Sequence, residues 1–522
     1  MPEAEEYGRP GPLLGFCRNT LRAVEACFNP FFGTTNPFYH LGDLCFYFFY
    51  IMLVTGTVLF FYYEPTVTGS FDQLDYLSRE QWYFGGVMRS LHRYAADGMV
   101  LTMGLHILRE MLLGHFQGAR WFSWITGVPL LIMVYLSGIL GFWLVWNKLG
   151  QFIAVRSAEF LDWLPIFASP MARNFLHNSD ITNLLFRLLI VMHISIPLFL
   201  LLFMLLHIKR VSQARIMPPT VLANGTLIAL LLLSVFRPIL SGQRADLATV
   251  TNTLPIDWFY FFPYPLIHSW PMAVLWSLLI GMTILLFVLP WLSKPPAQVV
   301  ATVRLEDCSG CGYCAEDCPY EAITIRERSI SHPRFAYEAH VLDDMCVHCG
   351  ICTGSCPSSN PFRRKTTTSE GEEVLFSGIE MPQHNINSLR NKVQESLGSL
   401  TARHPMLLVG CGHGIAVDHF AGEDIATVTL PCIGMLSPAF IEYALRLGAA
   451  GLLISGCRQG DCYYRFGDQW LRERLSRQRV PLLHRTVDNS RIACCWLAAT
   501  DTKEMVREIE QFRMRFKQTK NA

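Results

Sequence analysis

Charge is scarce in this chain. Only 16% of its 522 residues are Asp, Glu, Lys or Arg, against 51% hydrophobic, and mean hydropathy is +0.28. That balance excludes a wholly soluble protein. No Lys/Arg-rich block occurs and the net charge is +1, so nothing points to nucleic acid. A cleavable signal peptide is also missing, because the opening MPEAEEYGRPGP is acidic and has no apolar core. Nucleotide-phosphate motifs and solenoid-type repeats are absent. Cysteine is rare before residue 300, where only Cys17, Cys27 and Cys45 occur; the other fourteen of 17 crowd into the polar remainder at short spacings. Such spacing suits metal ligands in a reducing compartment better than a disulfide framework.

What is abundant is apolar sequence in runs able to cross a hydrocarbon layer of about 30 Å. Six such runs lie at Leu41 to Phe61, Val87 to Leu113, Ile125 to Trp146, Leu184 to Ile208, Leu222 to Phe236 and Trp270 to Leu292. The fifth is short and carries Asn224 and Gly225. The expected architecture is therefore multi-domain. An aromatic-rich interfacial segment (1–40) leads into an all-α polytopic membrane bundle of about six transmembrane helices (41–295), which SKPPAQ (Ser293 to Gln298) ends. A cysteine-dense module follows (296–365), then a polar linker (366–403), foreshadowed by RRKTTTSEGEE (Arg363 to Glu373). In the last stretch (404–522), MLLVGCG, IATVTLPC and AGLLISGC read as strands ending at cysteines, separated by helical segments such as SPAFIEYALRLG, which makes a small α/β domain. An even number of spans puts both termini on one side. Arg109, Arg120, Lys209, Arg210 and Arg215 fall in the short loops of that side, a slight bias. The thiol-rich tail, which has no export signal, places both termini in the cytoplasm and the chain in the inner membrane as a multi-pass protein.

Two of the runs carry histidine at a repeated interval. LHRYAADGMVLTMGLH holds His92 and His106, and MHISIPLFLLLFMLLH holds His193 and His207, each pair 14 residues apart. Fourteen helical residues advance about 21 Å through just under four turns, so each pair shares one face at two depths. A lone intramembrane histidine reads as a hydrogen bond to a neighbouring helix. Two matched pairs of costly ionisable groups call for a shared ligand. Gly42 and Gly56 on the first run, and Gly127 and Gly141 on the third, repeat the same interval. Glycine is common in membrane helices, which explains any one of these but not four at matched depths. They admit the edges of two flat macrocycles stacked across the membrane.

These residues carry a resemblance. NPFYHLGDLCFYFFYIMLVTGTVLFFYYEPTV (Asn36 to Val67) and RSLHRYAADGMVLTMGLHILRE (Arg89 to Glu110) resemble the cytochrome b subunit of quinol-oxidising cytochrome bc complexes. The resemblance implies two haem b groups with bis-His ligation, His92 and His193 at the outer one, His106 and His207 at the inner one. It also implies a homodimer like that of those complexes. Arg89 and Arg93 beside the outer site, and Arg109 and Lys209 beside the inner one, are candidates for neutralising haem propionates, the alternative being that each only snorkels to the interface. PIDWFYFFPYP (Pro255 to Pro265) is similar to the family's outer quinol-site segment. Asp257 stands where the family has a glutamate, a candidate acceptor of quinol protons, with Trp258 beside it. The third run ends in LVWN (Leu144 to Asn147) where the family often has Leu-Pro-Trp-Asp, and the family's later spans are missing.

CSGCGYCAEDCPYEA (Cys308 to Ala322) and CVHCGICTGSCPSSN (Cys346 to Asn360) each spell C-x2-C-x2-C-x3-C-P, the bacterial ferredoxin run for two 4Fe-4S clusters, in which the fourth cysteine of each run crosses to the other cluster. One cluster takes Cys308, Cys311, Cys314 and Cys356; the other takes Cys346, Cys349, Cys352 and Cys318. Zinc, the plain rival, usually pairs two CxxC units instead. Farther on come Cys411, Cys432, Cys457 and Cys462, each just past an expected strand. LGAAGLLISGCRQGDCYYRFG resembles the small iron-sulfur delta subunit of methyl-viologen-reducing hydrogenases. That resemblance implies a 2Fe-2S cluster on these four cysteines and a flavin-containing partner of heterodisulfide-reductase type. Cys494 and Cys495 are spare candidates.

The modules together suggest a membrane-bound electron-transfer subunit joining a quinone or quinol pool to a cytoplasmic flavin/iron-sulfur oxidoreductase of heterodisulfide-reductase or hydrogenase type. Electrons would run among the 2Fe-2S cluster, the two 4Fe-4S clusters, the inner haem and the outer haem. Two alternatives stand beside it: a haem-containing membrane anchor without its own quinone site, and a disulfide reductase whose chemistry lies in residues 404–522.

Overall fold

The computed structural model describes residues 12–166, 168–178, 181–209, 216–249, 254–292, 299–363, 366–367, 373–459 and 462–518. Arg210, Arg215, the SKPPAQ exit and most of the RRKTTTSEGEE stretch lie outside them. Helix α1 (Pro12–Phe32) precedes the first long apolar helix, α2 (Leu41–Tyr62). The short α3 (Gly69–Arg79) leads to α4 (Val87–Leu112), and α5 (Trp121–Val145) returns. Next come α6 (Lys148–Asp162), α7 (Asn183–Ile208), α8 (Thr220–Phe236), the short α9 (Trp258–Phe261) and α10 (Tyr264–Ser269), and α11 (Met272–Leu292). Helices thus stand at all six expected places.

Among the described residues, four segments are long and apolar enough to cross a membrane: Pro37–Tyr62, Gly118–Val145, Asn183–Ile208 and Met272–Leu292. The chain is a multi-pass membrane protein. The other two helices differ for physical reasons. Helix α4 carries Arg89, Arg93, Asp97, Arg109 and Glu110, and α8 has 17 residues, about 26 Å of helix. Helix α2 packs along α4, and α5 along α7. Lipid gives no hydrophobic drive for such pairing, so close contact has to supply it. At Gly98 even a Cβ would lie 2.7 Å from the Phe48 ring.

Beyond the membrane part, β1 (Thr302–Val303), α12 (Tyr313–Glu316), β2 (Ile323–Glu327), β3 (Tyr337–Val341) and α13 (Ile351–Ser355) form the ferredoxin-like module. The two cysteine runs repeat a conformation as well as a spacing. Gly312 and Gly350, each just after the second cysteine, take φ +85° and +72°, and Gly310 and His348, just before it, take +66° and +59°. Those left-handed residues turn the backbone around each set of thiols.

The stretch 366–403 is not the linker expected from its polarity. It holds β4 (Thr366–Thr367), β5 (Glu373–Val374), β6 (Ile379–Glu380) and α14 (Ile386–Gly398). Strand β6 pairs antiparallel with β1, so the chain returns to the ferredoxin-like module. Asn385 caps α14 by accepting from Ser388 N at 2.9 Å, and Ile386, Leu389, Val393 and Leu397 enter the core of the last domain. That domain has strands β7 (Met406–Cys411), β8 (Ile425–Leu430), β9 (Gly451–Cys457) and β10 (Ile492–Leu497), all parallel in the order β10-β9-β7-β8. Helices α15 (Pro438–Arg446) and α16 (Gly467–Leu475) contribute to the core that holds α14, while α17 (Thr502–Gln518) packs Met505, Ile509 and Phe512 against the sheet from a second cluster. Strands covered on both faces read as unbroken apolar runs, as these do.

Candidate functional site: imidazole pairs and thiol clusters

Helices α4 and α7 bring the histidines together in two levels. His92 and His193 face each other with ring centroids 6.3 Å apart and planes at 63°. A metal–nitrogen bond of about 2 Å on each side, with each ring centre about 1 Å farther back, spans about 6 Å, so this pair fits an iron between them. His106 and His207 line one cavity of about 220 Å³. Every histidine has a glycine opposite it. A Cβ on Gly56 would lie 3.0 Å from His92 Cε1, on Gly141 3.0 Å from His193, on Gly127 3.3 Å from His207 and on Gly42 3.7 Å from His106.

The hydrogen bonds settle a tautomer that spacing leaves open. Thr55 Oγ1 donates to Ile51 O at 2.7 Å and so accepts from His92 Nδ1 at 3.1 Å. Thr126 Oγ1 donates to Phe122 O at 2.9 Å and accepts from His207 Nδ1 at 3.1 Å. His193 Nδ1 donates to Ser137 O at 2.9 Å. Three imidazoles thereby carry their proton on Nδ1 and keep the Nε2 lone pair for a metal. Sequence reasoning missed Thr55, Thr126 and Ser137. The signal was there for two of them, since each threonine immediately precedes a glycine that faces a histidine.

The arginines are placed less simply than expected. Arg89 donates from Nη1 to Leu74 O, Ser78 and Ser241, which makes it a buried tie between segments. Arg93 binds both Asp97 and Asp257, with its guanidinium 4.3 Å over the Phe142 ring. Asp257 therefore faces a cation on the residue next to His92. Trp258 is 66% exposed, while Tyr260 and Phe261 are buried and anchor the segment. On the other side Arg109 donates to Glu25 at 2.7 Å and contacts Glu110. Lys209 offers its carbonyl to Arg465 at 3.0 Å.

In the ferredoxin-like module the thiols of the two runs are close neighbours in space. Burial pushes the Cys314 thiol up to about 12, and its thiol neighbours Cys356, Cys311 and Cys308 add to that. Cys352 lies well above its ordinary value through burial and its neighbours Cys349, Cys346, Cys314 and Cys318. Crowded neutral thiols of this kind release protons when iron binds. Ala322 N donates to Cys318 Sγ at 3.3 Å, the type of bond that tunes a cluster.

Parallel strands aim the last four cysteines at one point. Cys411 and Cys457 end β7 and β9, Cys432 follows β8, and Cys462 comes from the loop after β9. All four are buried, and Cys411 Sγ lies 3.5 Å from Cys457 Sγ. Hydrogen bonding among the four lowers the Cys411 and Cys462 thiols and raises those of Cys432 and Cys457. Among the described residues, no group of three or more His, Cys, Asp or Glu is gathered as a mononuclear metal ion would need. Cys494 and Cys495 lie elsewhere, on β10. Cys495 packs on Met505 at 3.9 Å, and both are core thiols.

Fold and sites define a multi-pass membrane protein with a helical bundle suited to two macrocycles and two thiol-rich modules suited to iron-sulfur clusters. The chain carries a cytochrome b domain: residues 29–214 match the family model for cytochrome b/b6/petB, a family that implies haems. Residues 307–360 match the 4Fe-4S dicluster domain, which implies two 4Fe-4S clusters, and residues 418–519 match the methyl-viologen-reducing hydrogenase delta subunit. A solved structure described as a hyperthermophilic respiratory Complex III is similar over 49% of this chain and 76% of its own, at 20% identity and a TM-score of 0.41.

Proposed function

We propose that the chain links a quinone pool, through two b haems and three iron-sulfur clusters, to a cytoplasmic redox partner of heterodisulfide-reductase or hydrogenase type. The observation that carries this reading is the imidazole quartet, with a glycine facing each ring and Nδ1 occupied on three. The bound groups supply one-electron storage at fixed depths, and the protein sets their spacing and potentials. His92 and His193 hold the outer haem, and His106 and His207 the inner one. The 4Fe-4S clusters take the crossed cysteine sets, and a 2Fe-2S cluster takes Cys411, Cys432, Cys457 and Cys462. Both termini lie in the cytoplasm, with the iron-sulfur modules below the inner haem. The working units are a lead-in to residue 40, the membrane part to residue 292, a two-cluster module from residue 299 closed by β6, and a C-terminal domain that begins at α14.

Asp257 and Trp258 border the outer quinone site, and Asp257 accepts a quinol proton once Arg93 yields it. Inward electron flow with outward proton release stores about 2.3 kcal/mol per electron per 100 mV. The ion pair between Arg93 and Asp257 favours the rival reading, an anchor with haems and no quinone site. A quinol analogue added to the oxidised protein separates them. The proposal expects fast haem reduction that a quinone-site inhibitor blocks and that Asp257→Asn slows about 100-fold or more with haem content kept. Haems that stay oxidised with quinol, yet reduce with a low-potential soluble donor, would leave the anchor.

A further inference from the structure

Along the chain the ferredoxin-like module follows the membrane part directly and the four-cysteine domain comes last, so chain order puts the 4Fe-4S clusters next to the haems. Contacts in space run differently. The cavity that holds His106 and His207 is also lined by Arg458 and Gln459, the two residues after Cys457. Arg458 donates to His40 Nε2 at 2.9 Å and lies 4.2 Å over the Tyr39 ring. The far end of the same loop is also seated on the membrane part: Arg120 donates to Cys462 O at 3.2 Å, and Tyr463 donates to Gln117 O at 3.3 Å. Among the described residues, none between 299 and 363 lines that cavity. The ferredoxin-like module meets the four-cysteine domain beside this contact, where Cys349 and Ile351 share one buried cluster with Cys432, Tyr464 and Ala119 of the membrane part.

We propose that Arg458 and Gln459, the two residues after Cys457, wall the inner haem site, which makes the Cys411/Cys432/Cys457/Cys462 centre a direct electron-exchange neighbour of that haem. An electron exchanged at this contact oxidises one centre by one equivalent and reduces the other by one, with no bond made and no proton required. This inference rests on the haem reading above.

Gln459 is exposed, so its charge can be changed without disturbing a core. A positive charge beside a haem favours the reduced form, and a negative one disfavours it. Redox titration of the full-length protein, followed in the haem absorbance bands, is therefore expected to show Gln459→Lys raising and Gln459→Glu lowering the midpoint potential of one haem. That haem is the one missing from a His106→Ala variant. The outer haem should stay where it is. Unchanged potentials in both variants, or equal shifts of both haems, would overturn the proposal. A protein that takes up no haem at all would sink the haem reading itself, an outcome that haem extraction distinguishes before any titration.

Discussion

At the scale of the residue, each imidazole needs a partner behind it as well as a metal in front. Thr126 is that partner for His207, and Thr126→Val keeps the shape while removing the acceptor. Such supporting bonds are worth about 10–100-fold in affinity for the bound group. Haem titration into the stripped protein is expected to show that loss at one site only. Gly141→Leu should act on the other level, because the new side chain starts 3.0 Å from His193 Cε1 and fills the haem's approach. One haem per chain should then remain on extraction. The histidines and glycines were legible in sequence because helical geometry turns an interval of fourteen into a shared face. The threonines were not, because a threonine in an apolar helix also bonds its own backbone four residues back, as Thr55 does to Ile51, and so looks ordinary. The ties of Arg89 to Leu74, Ser78 and Ser241 were equally hidden, because only packing brings those residues to it.

At the scale of the element, the strands that end in cysteine do what the sequence pattern foretold. Three neighbouring parallel strands finish at one sheet edge, the usual place for a site in such a sheet. Cys432→Ser is expected to lower iron by about two per chain, the content of a 2Fe-2S cluster, and to abolish its EPR signal. Cys494→Ser and Cys495→Ser should leave iron unchanged; a loss equal to that of Cys432→Ser would return β10 to the ligand set. Helix α14 escaped notice because its exposed face is polar and its apolar stripe is a single narrow row, Ile386, Leu389, Val393 and Leu397. Average composition made it a linker, whereas the periodicity was already that of a packed helix. Helix α6 was hidden in the same way between two long apolar runs, with Asn147 capping it by accepting from Gly150 N at 2.8 Å.

At the scale of the whole molecule, the two iron-sulfur modules hold together through one fully buried cation. Arg474 donates to Asp317 and to Ser355, each at 2.6 Å, and to Gly434 O at 2.8 Å, and Arg479 binds the same aspartate. Asp317 precedes Cys318, Ser355 precedes Cys356, and Gly434 lies two residues past Cys432, so this guanidinium touches residues beside all three sets of thiols. Burying such a pair gains little over an apolar substitute of the same shape, but removing one partner leaves the other charged and dry, at about 3–5 kcal/mol. Arg474→Ala is therefore expected to loosen the seam between modules rather than unfold either. Hydrogen exchange in α13 and α16 should rise by about 100-fold or more, the factor that 3 kcal/mol allows, while the core strands of the last domain keep their protection. Exchange that rises evenly across the C-terminal domain would mean that Arg474 supports that domain's own fold and that the seam is held by the apolar contacts of Ile351 and Cys432. Arg474→Met decides between these at once: it fills the volume without the charge, so protection that returns in α16 but not around Asp317 would locate the cost in the stranded carboxylate.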